Sequence, residues 1–150
     1  KKSAYLEELT DKVIDCAKGA AMGTGTRMEC VRSEVDFKDT CSNLYLAELQ
    51  SRSMEALGFK MKRLNGQCTP GSSDLGDVSY VCPAIQCAFD ITDGKQYGVH
   101  TREFAVCAGS EHGMQQALLV IEAFVMTGIK LMTDSTHLEK IKEEFAEIKK

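Results

Sequence analysis

Ala84-Ile85-Gln86-Cys87-Ala88-Phe89-Asp90-Ile91-Thr92-Asp93-Gly94-Lys95-Gln96-Tyr97-Gly98-Val99-His100 is the stretch on which the fold reading turns. Ile85, Cys87, Phe89 and Ile91 fall on one face at period two, the pattern of a half-buried strand. Asp93-Gly94 is a hairpin signal, because both residues tolerate the positive φ that a tight two-residue turn demands. Lys95 to Val99 then reads as the return strand, and His100 ends it.

Upstream, Gly71-Ser72-Ser73-Asp74-Leu75-Gly76-Asp77 reads as a loop leading into Val78-Ser79-Tyr80-Val81-Cys82 and Pro83. Asn65-Gly66 and Thr69-Pro70-Gly71 mark turns, and Phe59 to Leu64 reads as a short strand. Before them, Leu46, Leu49, Met54 and Leu57 line one side of a predicted helix over 44–57. Asp39, Ser42 and Asn43 are its candidate N-caps, and Gly58 suits the position just past its end.

The opening helix spans 3–22, with Leu6, Leu9, Val13, Ala17 and Ala20 at helical spacing, and Gly23-Thr24-Gly25 ends it. Residues 26–37 read as a strand with Val31, Val35 and Phe37 on one face, although Arg27 and Glu29 weaken its start. Downstream, 110–131 is a long helix, apolar nearly all round and so expected to be covered on most sides. A last helix follows Asp134 or Ser135, with Leu138, Ile141, Phe145 and Ile148 as its stripe and a Glu/Lys-rich outer face.

The expected fold is therefore mixed α/β. A join near residues 38–43 separates the opening helix and strand (1–40) from the rest (41–150).

The chain has 150 residues, enough for a real core, and its 43% hydrophobic and 27% charged composition is that of an ordinary globular protein. A net charge of −4 with no basic stripe argues against nucleic-acid binding. No leader peptide or membrane-spanning segment is expected, and Lys1-Lys2-Ser3 reads as a cut within a longer protein. Seven cysteines, an odd number without a Cys-x-x-Cys pair, read as packing residues in a reducing cytoplasm rather than a disulfide framework. The set Cys82, Cys87, His100 and Cys107 matches no common zinc spacing.

His100 has two readings. It is a strand-end histidine satisfied by a backbone carbonyl, or a metal ligand whose neutral nitrogen is aimed by the following Thr101-Arg102-Glu103 turn. The 71–77 loop is a plain connection, or a substrate-facing loop. In the second case Ser72 and Ser73 hydrogen-bond a carboxylate or amide, and Asp74 orients it. Asp77, Glu103, Glu111 and His112 are weaker candidates, and His137 is expected to be exposed. No Gly-x-Ser-x-Gly elbow supports a serine triad, and no local signature supports a Cys-His protease.

Gly71 to Ile85, His100-Thr101-Arg102-Glu103-Phe104-Ala105 with Ala108-Gly109-Ser110, and Ala117 to Lys130 together resemble the dinuclear-zinc aminoacylase and carboxypeptidase G family. The branch they look most like holds the p-aminobenzoyl-glutamate hydrolases. Tyr5 to Leu9 and Cys16 to Ala21 are similar to the last helix of that family's inserted lid domain.

The resemblance implies a metal-dependent hydrolase of an N-acyl or N-aroyl amino acid or small peptide. It implies two divalent ions, zinc first and manganese or cobalt as alternatives, and a homo-oligomer. By motif His100 is the implied metal ligand, and Ser72, Ser73 and Asp74 border the implied substrate site. The family's His-x-Asp motif, bridging aspartate, paired glutamates and next acidic ligand have no counterparts in this chain. A C-terminal portion, inactive alone and retaining little or no metal, is the expectation. A non-catalytic interaction or oligomerisation domain is the alternative.

Overall fold

The computed structural model describes residues 3–35, 37–62 and 73–148. It contains six helices: α1 (Ser3–Thr24), α2 (Leu44–Ala56), α3 (Leu75–Ser79), α4 (Arg102–Ala108), α5 (Glu111–Thr133) and α6 (Ser135–Ile148). The turns at Asn65-Gly66 and Thr69-Pro70-Gly71, the end of the run to Leu64, Cys68 and Ser72 lie outside the described residues.

The expected α/β fold is overturned. Among the described residues there is no strand, only one isolated parallel bridge between Ser42 and Ala84. The physical reason is that a helix completes its hydrogen bonds within itself, whereas a strand needs a neighbour to supply a ladder. Residues 85–91 keep their alternation only in part: Ile85, Cys87 and Ile91 are partly buried and Gln86, Ala88 and Asp90 exposed, but Phe89 is exposed as well. No neighbouring segment hydrogen-bonds to them as a strand.

The Asp93-Gly94 turn forms all the same, with φ of 55° and 76°. Both values are positive, as primed hairpin turns require. The Asp90 carboxylate accepts the amides of Thr92 and Gly94, each at 2.7 Å, and fixes the loop from inside. Residues 95–99, expected as the return strand, are exposed and unladdered. The described residues of 26–37, also expected as a strand, run without a ladder, and Val31 and Val35 stand exposed.

The helices built on local signals stand where expected, with ends shifted by a few residues. Asn43 caps α2: its side-chain oxygen accepts the Leu46 amide at 2.9 Å, and its Nδ2 donates to the Ile141 carbonyl of α6 at 3.0 Å. Glu144 of α6 accepts the amides of Leu44 at 2.7 Å and Tyr45 at 2.9 Å. The orphan donors of a helix start are thus met by a neighbouring helix rather than by water. Gly58, at φ 90°, closes the other end.

α2 packs chiefly against α5, and α6 touches both. Met54, Val120 and Ala123 form the buried centre, with Leu57, Phe59, Met61 and Cys87 packed on it. Burying Met54 completely is worth about 1.5–3 kcal/mol.

α4 takes the place of a plain turn. Thr101 caps it by accepting the Phe104 amide, and Ser110 caps α5 by accepting the Gly113 amide at 3.0 Å. Gly113 is required there: a Cβ would sit 2.4 Å from the Cys107 carbonyl oxygen.

α5 is not covered on most sides, contrary to expectation. Val120, Ala123 and Thr127 are buried, whereas Leu118, Ile121, Val125, Ile129 and Met132 are exposed. The packing partners α2 and α6 cover one flank of a helix that is apolar on several. With 23 residues and mean hydropathy 1.5, α5 is also long and apolar enough to cross a membrane. Its buried flank carries polar bonds typical of a core helix: Thr127 and Lys130 both donate to Ser53 of α2, at 2.9 and 3.1 Å. Among the described residues α1 packs on no other helix, and Tyr5, Leu6, Leu9 and Val13 are exposed along it.

Candidate functional site

His100 directly precedes the Thr101 cap of α4 and has φ 66°. A left-handed backbone is uncommon for a residue with a Cβ, and such strain gathers at functional positions. Its imidazole is exposed rather than satisfied by a backbone carbonyl. Ser73 accepts the Leu75 amide at 3.2 Å, and Asp74 occupies the position before α3 without a capping bond from its side chain. Ser73 therefore serves its own turn, while the Asp74 side chain does not cap α3.

The other candidates fall in separate places. Glu103 and Glu111 occupy the first turns of α4 and α5, where a carboxylate complements the helix dipole. His112 lies close enough to Asp90 to favour its ionised form. The main causes there are local: hydrogen bonds from the Thr92 hydroxyl and the Thr92 and Gly94 amides hold the Asp90 carboxyl below the usual carboxylate range. Asp77 faces Lys38, with Nζ 3.6 Å from its carboxylate.

His137 corrects the expectation of exposure, since its side chain is only 25% accessible. Its Nδ1 lies 2.9 Å from the Tyr45 hydroxyl, and its Nε2 lies 3.8 Å from Asp134. Asp134 caps α6 through Thr136, whose hydroxyl and amide draw its carboxyl below the usual range.

Two arrangements escaped sequence reading. One is the Ser53-Thr127-Lys130 set at the α2–α5 seam. The other surrounds α3. The Tyr80 hydroxyl donates to Asp39 at 2.9 Å, and the Cys41 amide donates to the Ser79 hydroxyl at 2.9 Å. Burial first, then the hydrogen bonds with Cys41 and Asp39, push the Tyr80 phenol well above its ordinary pKa. These partners lie about forty positions apart, as the 41-residue spacing of Tyr80 and Asp39 illustrates, so no local motif could have signalled them.

Among the described residues, no three His, Cys, Asp or Glu side chains gather as an ion site requires. The set Cys82, Cys87, His100 and Cys107 is not assembled, and all six described cysteines are unpaired thiols. Burial raises the Cys87 thiol above its ordinary pKa, as suits a packing residue. These side chains do not by themselves fit a two-metal centre. Two open grooves of about 440 and 350 Å³ run along α1, and neither touches His100, Ser73 or Asp74.

No family model matches the chain. It is 30% identical over 145 residues to the Xaa-Arg dipeptidase of Mus musculus, covering 93% of this chain and 32% of that protein. It is 31% identical over 144 residues to the Xaa-Arg dipeptidase of Homo sapiens, with the same coverage. The chain thus spans about a third of the length of the curated relatives it matches. The similarity supports kinship with peptidases and amidohydrolases, hydrolases of the amide bond, without singling out one branch of them.

Proposed function

We propose that this chain forms one part of a metal-dependent peptidase or amidohydrolase that cleaves an amide bond of a small peptide or N-acyl amino acid. The carrying observation is the continuous similarity to a dipeptidase over 93% of the chain. Residues 1–40 belong to a lid or dimerisation unit in this reading, and 41–150 to the catalytic domain of a cytoplasmic homo-oligomer. His100 supplies one ligand to a divalent ion, zinc by preference. Ser72, Ser73 and Asp74 border the substrate. The left-handed backbone of the exposed His100 and the Asp74 side chain that does not cap α3 support these roles.

The described residues offer neither a complete ligand set nor a general base placed beside one. Residues beyond this chain must supply both, since holding metal ions and taking a proton from water need several groups. The expected outcome is twofold. In the polypeptide that carries this chain, His100→Ala removes bound metal and lowers dipeptide hydrolysis by at least about a hundredfold. The isolated 150 residues release no product. Chelator-sensitive hydrolysis by the isolated chain would overturn the reading.

A second reading, a non-catalytic oligomerisation module, is favoured by the open apolar flank of α5. Unchanged metal content and turnover in His100→Ala would favour it over the first.

A further inference from the structure

We propose that residues 38–41 form a clasp on α3 that sets the position of the Ser73–Asp74 turn. The clasp has bonds on both sides of α3. The Tyr80 hydroxyl, at the C-terminal end of α3, donates to Asp39 at 2.9 Å. The Cys41 amide donates to Ser79, and the fully buried Ser79 hydroxyl donates in turn to the Gly76 carbonyl at 2.6 Å. Lys38 pairs with Asp77 at 3.6 Å, and its Nζ lies 5.4 Å from the centre of the Tyr80 ring. Gly76 permits the close approach, since a Cβ there would lie 1.9 Å from the Lys38 carbonyl oxygen. One step further on, the Asn43 amide donates to Ala84 at 3.0 Å and ties the same strip to the segment after α3.

The placement makes this more than ordinary packing. The strip ahead of α2 is stitched to α3 by partners 41 and 38 positions away in sequence. α3 begins one residue after Asp74. Tyr80 and Asp77 are therefore positioning residues for the turn. That the turn meets substrate rests on the hydrolase reading above; the clasp itself does not.

Amide hydrogen exchange on the 150-residue chain tests it. Tyr80→Phe keeps the ring under Lys38 and removes one bond to a charged acceptor. The expected result is roughly tenfold faster exchange at both 38–43 and 75–82, with α5 unchanged. Asp77→Asn, which keeps side-chain shape, gives a smaller rise in the same two segments. Tyr45→Phe, on the α2–α6 seam, leaves both segments unaltered. Acceleration of only one segment, or equal acceleration of α5, in both clasp variants would overturn the proposal. In the hydrolase-competent polypeptide, Tyr80→Phe raises the KM for a dipeptide about fivefold with kcat nearly intact, the split of lost substrate positioning. A fall in kcat at constant KM would remove the positioning role. Absence of any hydrolysis would count against the hydrolase reading and leave the exchange result to decide the clasp.

Discussion

Helix α2 and the run from Ala84 to Val99 carry equally clear periodic patterns, yet they end in different physical states. α2 is sealed. Asn43 and Glu144 take its first amides, Gly58 closes its end, and Met54 sinks into the core. The 84–99 run has its turn, held by Asp90, and a face that is partly buried at Ile85, Cys87 and Ile91, but no strand among the described residues lies beside it. Apolar alternation can thus seat side chains without completing the backbone, whereas a helix that seats its side chains has already completed its own.

The largest expected effect sharpens that contrast within the helical layer. Met54→Ala removes a fully buried side chain and lowers unfolding stability by about 2–5 kcal/mol in urea titrations. Met132→Ala, at a position 88% exposed, changes it by less than about 0.5 kcal/mol. Comparable losses at both positions would mean that the open flank of α5 is covered in solution, and the sealed-versus-open distinction would break.

What was legible follows the same division. The spans of α2 and α5, and Asn43 among the candidate caps of α2, could be placed because each signal lies within a few residues of the bond it makes. The expected strands 26–37, 85–91 and 95–99 fail because side-chain alternation does not reveal whether a ladder partner lies alongside, and no ladder forms among the described residues. α4 was taken for a turn because Thr101 caps a helix of only seven residues, too short for a periodic signature. At the candidate site, the motif located His100, but only the structure reveals its left-handed backbone. The bonds of Tyr80 to Asp39 and of Tyr45 to His137 were invisible, since distance in sequence hides proximity in space.

A smaller effect probes the sealed end of α2. Asn43→Ala removes the cap on Leu46 and the bond to the Ile141 carbonyl, and lowers stability by about 1–2 kcal/mol. Asn43→Asp keeps an acceptor for the helix start but loses the donor to Ile141, so it recovers only part of the loss. Full recovery would show that α6 adds nothing to this cap. The α2 end would then be as locally made as the Asp90 turn.

The smallest effect is one of pH, and it tests the turn that the Asp90 carboxylate holds within the 84–99 run. The folded Asp90 carboxyl titrates below its ordinary value, chiefly through the Thr92 hydroxyl and the Thr92 and Gly94 amides. Its contribution is therefore present above the unfolded pKa, about 4, and is lost as pH falls through the lower folded value. On acidification the Gly94 amide resonance should shift, and its exchange should quicken, before α5 loosens. Asp90→Asn retains an oxygen acceptor but cannot titrate, so the Gly94 response below about pH 4 should flatten. Asp134, depressed by its own Thr136 bonds, leaves an acid-dependent remainder at the start of α6. An unchanged Gly94 midpoint in Asp90→Asn would mean that the turn is held by something other than this carboxylate. The 84–99 run would then lose the one feature it shares with α2, a structure fixed by a side chain close to it in sequence.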